Sequence, residues 1–349
     1  MFRRAGLPHV TRTMLGAAAL ALCAGALGCD KLPSGPVRMS RAQVRSVILV
    51  DWTPGGYAAT AAHDAVVSIC ASGANTVTFI TTAYQSDPTA GVARVDPART
   101  PSEAALRSSI AVALGLGKQI ALKPHVDLDD GSWRGHITPR DPARWFDSYR
   151  AFLLPLAAMA ESVGAAQFVI GTELAGTLGE AGRWRDLIRA VRAVYHGSLV
   201  YAASWDEAGR VPFWDACDLV GVDFYFPVAS RTQPGRLELL AGWQPWLDRL
   251  EVLHRQSHRP ILLSEIGYRS VDGAGMRPYS FDPGSPLDLG EHADLYWAAL
   301  EATRDKEWIA GLSWWNARAD GSGGMTNTDY TPFGKPAVGE LSAAWRAAP

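Results

Sequence analysis

The chain has 349 residues, 48% of them hydrophobic, and a formal net charge of -2. That composition excludes a disordered protein, and without a basic excess it excludes a nucleic-acid binder. The length suits two domains or one α/β barrel.

Residues 1–29 read as a signal peptide. Arg3 and Arg4 sit in a basic opening, and "MLGAAALALCAGALG" (14–28) is uncharged, apolar and too short to span a bilayer comfortably. The run stops at Cys29. The four residues "ALGC" (26–29) resemble the bacterial lipoprotein box, in which the cysteine becomes the lipidated first residue, although Ala26 stands where leucine is commoner. Lipidation of Cys29 is expected, with simple cleavage and secretion as the alternative. The expectation is therefore an exported bacterial protein, held at a cell-envelope membrane (periplasmic or surface) by that lipid alone. Residues 30–43 read as a flexible tether and 44–349 as one folded domain. Of the remaining cysteines, Cys70 and Cys217 are expected to be free, buried thiols.

From residue 44 strand-like and helix-like segments alternate. The strands are predicted at 46–52, 75–82, 119–127, 167–174, 199–205, 218–225, 261–268 and 310–316. Most are near-continuous apolar runs, as parallel strands covered on both faces should be. Thr100-Pro101-Ser102-Glu103 reads as a capping box, and Asp141-Pro142 opens a second helix, with Pro155 predicting a kink. Apolar residues at three- and four-residue intervals mark helices at 182–197 and 237–258. Two more are predicted at 291–307 and 338–348. The link between the fifth and sixth strands is short and forms a helix poorly. This pattern indicates a (β/α)8 TIM barrel. A doubly wound open sheet would need a glycine-rich phosphate turn, and "DWTPGGYAA" (51–59) is a poor one.

In a barrel the active site gathers at the C-terminal strand ends. Polar and aromatic residues do collect there: Trp52, Lys123, His125, Asp127, Glu173, Trp205, Asp223, Tyr225, Glu265, Trp314, Trp315 and Asn316. "FVIGTEL" and "ILLSEIGY" share a grammar in which an apolar run and two small residues lead to a glutamate. Glu173 and Glu265 would thus face each other across the barrel mouth, as a glycosidase pair of nucleophile and proton donor requires. The competing reading is that each forms a structural salt bridge. Tryptophans at the mouth suit the flat C–H faces of sugars, and one of Trp314 and Trp315 must point away. Lys123, His125 and Asp127 are predicted to bind sugar hydroxyls. A metal reading of "KPHVDLDDGSWRGH" (123–136) fails on EF-hand spacing, so no metal or other cofactor is expected. The Gly- and Pro-rich stretch 268–290 is a candidate rim or lid.

"LKPHVD", "VIGTEL", "FWDACDLVGVDFYFP", "ILLSEIGYRS" and the closing "WWN…GKPA", in this order, resemble glycoside hydrolase family 113 over about residues 44–346. The resemblance implies a retaining β-mannanase-like barrel enzyme acting on a polysaccharide or oligosaccharide; a monomer is expected. It implies Glu173 as acid/base, Glu265 as nucleophile, a tryptophan platform at Trp314 or Trp315, and Tyr225 near the nucleophile. Thr172 departs from the wider clan, which carries asparagine before the acid/base. Two alternatives stay open: a glycan-binding lipoprotein without catalysis, and a clan relative cutting another β-glycan.

Overall fold

The computed structural model describes residues 43–282 and 284–346; the expected signal peptide, Cys29 and the tether up to residue 42 lie outside them. Eight parallel strands close into a barrel in chain order: β1 (Val44–Val50), β2 (Thr76–Gln85), β3 (Gln119–Leu128) and β4 (Gln167–Thr172), then β5 (Ser198–Ser204), β6 (Leu219–Phe224), β7 (Ile261–Ile266) and β8 (Ile309–Arg318). Each predicted strand lies within a few residues of its segment. Strand burial is nearly complete from end to end, which is why the apolar runs were continuous rather than alternating.

Seven α-helices cover the barrel among the described residues: α1 (Thr60–Ala71), α2 (Glu103–Gly115), α3 (Pro142–Ser162), α4 (Ala181–Arg192), α5 (Arg236–Ser257), α6 (Leu289–Thr303) and α7 (Ala337–Arg346). Asp141 caps α3, its carboxylate accepting from the Arg144 amide at 3.0 Å, with Pro142 at the first helical position. The α2 cap corrects the sequence reading. Ser102, not Thr100, accepts from the Ala105 amide, because the Thr100 hydroxyl is committed to the Thr82 carbonyl at 2.8 Å. The β5–β6 link carries only two short 3-10 turns, Ala208–Arg210 and Trp214–Ala216. Cys70 is half-buried and Cys217 buried, and both thiols are free.

The main core lies between strands and helices, where Trp145, Trp184 and Trp243 are wholly buried. Inside the barrel the lower layer is apolar (Val169, Val200, Ala202, Leu262). Above it the filling changes character: Lys123, His125, Asp223 and Glu265 are all buried. Such a layer needs internal partners. Register shifts at Val222/Asp223 in β6 and Val169/Gly171 in β4 disturb the ladder beside both glutamates, and the first sets Asp223 opposite Glu265.

No helix among the described residues is long and apolar enough to cross a membrane.

Candidate active site

Glu265 projects from β7 into a cavity of about 610 Å³ at the C-terminal strand ends, and Glu173 lines the same cavity from the end of β4. Glu265 is 5% exposed and surrounded by cationic or donor groups. The Lys123 ammonium lies 2.7 Å from its Oε1, and the Tyr225 hydroxyl donates to its Oε2 at 2.9 Å. His125 lies 3.6 Å from Oε1, too far for a hydrogen bond. Burial drives the His125 pKa well below its ordinary value, so the ring is a neutral spacer.

Lys123 also donates to Asp223 Oδ1 at 2.8 Å, and the Ser264 hydroxyl donates to the same oxygen at 2.7 Å. Burial alone would discharge Lys123, but Asp223 and Glu265 outweigh it and raise its pKa. One ammonium thus faces two carboxylates. Burial and the charge of Glu265 push Asp223 well above the usual carboxylate range, against the pull of Lys123.

Glu173 is held differently. Its backbone turns to a φ of 52°, the left-handed region that non-glycine residues rarely enter. Its Oε2 accepts a hydrogen bond from the Trp133 indole at 3.0 Å. Burial raises its pKa; Arg134 opposes the rise, and the charge of Glu265 adds to it. Arg134 itself is tied to Asp127 at 2.5 Å. Burial opposes its charge, but Asp127, Glu173 and Glu265 together raise its pKa. The two carboxyls therefore sit in one cavity but are held by different groups, Glu265 by Lys123 and Tyr225, Glu173 by Trp133 with Arg134 nearby.

The other predicted residues separate into groups. Trp205, Tyr225 and Trp315 line the cavity with the two glutamates. Trp315 stacks on His125 at 6.1 Å, and the Trp315–Asn316 peptide is cis. Trp52 is half-buried, packs like Trp315 against Ile48, Val50 and Ile80, and lies under Arg318. Lys123 and Asp223 are 0% exposed, so they act on Glu265 from below rather than on sugar hydroxyls. The same correction applies to His125 and Asn316, which are buried, and Asp127 is occupied by Arg134. Trp314 is corrected outright: it is wholly buried, stacked on Tyr296 of α6 at 3.9 Å, because neighbouring strand residues face opposite sides.

Sequence reasoning missed Trp133, Arg134, Tyr279, Phe281 and Tyr330, which also line the cavity. Tyr279 and Phe281 are 51% and 71% exposed and lie in the predicted rim stretch. An aromatic in a Gly- and Pro-rich loop above a barrel was the available signal. Trp133 offered the same one in "DDGSWRGH". Among the described residues, Asp272, Asp288 and Glu291 lie close enough to hold an ion, but Glu291 already accepts from the amides of Gln233, Gly273 and Gly275.

Two glutamates at the ends of β4 and β7 of a closed eight-stranded barrel, under a rim of aromatics, define a glycoside hydrolase acting on O-glycosyl bonds of an oligo- or polysaccharide. The profile of Glycoside Hydrolase Family 113 matches residues 50–335, and the chain belongs to that family. A solved GH113 β-1,4-mannanase is 26% identical, with a TM-score of 0.80 over 88% of this chain and 100% of its own. GH113 β-mannanase AaManA from Alicyclobacillus acidocaldarius, in complex with ManMIm, is 24% identical with the same score, over 88% and 98% of the two chains. A Faecalibacterium prausnitzii β-glucuronidase shares the fold alone, at 12% identity and a TM-score of 0.60 over 88% of this chain and 49% of its own. Curated protein sequences give no match.

Proposed function

We propose that the protein is a retaining β-glycosidase cleaving β-1,4-mannan or manno-oligosaccharides through a glycosyl-enzyme intermediate on Glu265. The observation that carries this reading is the contrast within one cavity. Glu265 is paired with Lys123 and receives the Tyr225 hydroxyl, whereas burial and the facing charge favour a proton on Glu173. Glu265, ionised, attacks the anomeric carbon while Glu173 protonates the departing oxygen. Glu173 then takes a proton from the water that releases the sugar. Burial and Glu265 push Tyr225 well above its ordinary value, so it stays a phenol and donates throughout.

Trp315, Trp205 and the exposed Trp133 and Phe281 supply stacking faces for successive sugar rings. The mannanase structures, at 24–26% identity over nearly their whole length, support mannan as the polymer. A reducing-sugar assay over a panel of β-glycans, with the product anomer followed by NMR, tests the proposal. Mannan cleavage with the β-anomer formed first is expected; inversion, or activity confined to another glycan, would overturn it.

For location we propose export and lipid anchoring through Cys29, on the strength of the basic opening, the apolar run and "ALGC". A Cys29→Ala variant should leave the membrane fraction.

A further inference from the structure

Leaving β4, the chain turns at Glu173 into a conformation that the strand does not favour, and something must hold it there. Two hydrogen bonds to β5 do so. The Glu173 amide donates to the Ala202 carbonyl at 2.7 Å, and the Leu174 amide donates to the Tyr201 hydroxyl at 3.1 Å. Having accepted there, the Tyr201 hydroxyl turns its own proton to Glu207 Oε1 at 3.4 Å. The same oxygen accepts the Ser204 amide at 3.0 Å. Tyr201 and Glu207 are both 0% exposed, and Glu207 Oε2 is buried with no hydrogen-bond partner among the described residues.

A buried acid with a half-satisfied carboxyl is costly where an apolar side chain would pack freely. Burial pushes Glu207 up to about 8; the Ser204 amide opposes the shift and the charge of Glu173 adds to it. Glu207 does not line the cavity and takes no part in the two displacement steps. Ser204 and Asp206 do line it, joined by a hydrogen bond of 2.9 Å, so the acid connects the Glu173 turn to the adjacent β5 edge of the site.

Resting on the reading of Glu173 as proton donor, we propose that Tyr201 and Glu207 are positioning residues for it. Together they form a buried relay that locks the left-handed turn and keeps the Glu173 carboxyl aimed at the departing oxygen. Nothing in the relay touches the sugar. Its loss should therefore slow only the cleavage that needs a proton.

The test compares kcat/KM on a manno-oligosaccharide with kcat/KM on a dinitrophenyl β-mannoside, whose leaving group departs without protonation. Glu207→Ala is expected to lose about tenfold on the first substrate and less than about twofold on the second. Tyr201→Phe, which keeps its ring in the core, carries the same expectation should the alanine variant fold poorly. Glu207→Gln keeps an uncharged acceptor and should return to within about twofold of wild type on both substrates. Equal losses on the two substrates, no loss in either variant, or a glutamine variant as slow as the alanine one would overturn the relay. If Glu173→Gln itself shows no difference between the substrates, the proton-donor reading fails instead.

Discussion

The ends of β4 and β7 are written almost alike, yet the structure treats them as opposites. Glu265 lies within its strand, at a shift in the ladder, buried, with a lysine, a tyrosine and an aspartate packed around it. Glu173 sits just past its strand, half-buried, in a strained turn against Trp133. One carboxyl is paired with a fixed cation; the other is raised by burial and by the first one's charge, with Arg134 opposing. The difference shows that a carboxylate's surroundings are set by what reaches it from elsewhere in the fold rather than by the residues beside it in the chain.

Removing either glutamate should break the contrast in different ways. Glu265→Ala is expected to lose on the order of 10⁴-fold or more on every substrate. Glu173→Gln should lose about 10²- to 10⁴-fold on natural glycans but spare activated aryl glycosides. Steady-state kinetics on both substrate types checks this, and equal losses from both changes would abolish the assigned roles.

Lys123→Met tests the cation beneath Glu265. It leaves buried Glu265 without its counter-charge, at a cost of about 3–5 kcal/mol in urea denaturation at neutral pH. The deficit should shrink as pH is lowered, because protonation relieves the unpaired carboxylate. A constant deficit would mean that packing, not charge, was lost.

The adjacent tryptophans sharpen the comparison between the two sides of one strand. Trp314→Ala empties a core site against Tyr296 and should cost about 3–5 kcal/mol of stability with little change in KM per folded molecule. Trp315→Ala should do the reverse, raising KM about tenfold with a small effect on melting temperature. Thermal melts and kinetics on the same preparations separate them.

A further test concerns Glu207. Its pKa rises from 4.5 to about 8 on folding, so between those values the native protein binds one more proton than the unfolded chain. Its contribution is complete below pH 4.5 and is lost as pH rises toward 8, by at most about 1.4 kcal/mol per pH unit. Glu207→Gln should flatten that part of the stability profile, measured by denaturant titration at pH 5 and pH 8. An unchanged slope would show that the acid is not held protonated.

The strands, the Asp141 cap and both glutamates were legible in the sequence because they rest on local physics. A strand buried on both faces writes an unbroken apolar run, and a helix start writes its own cap. The parity of a strand was legible too, in that one of Trp314 and Trp315 had to face away, but not which one. Tertiary structure decided that Trp315 faces the cavity and that Lys123 meets an aspartate 100 residues distant. It decided equally that Trp133 reaches Glu173 and that Tyr201 links the turn after Glu173 to Glu207. Partners so far apart in the chain meet only when the barrel closes, and no pattern in a short window can carry that closure.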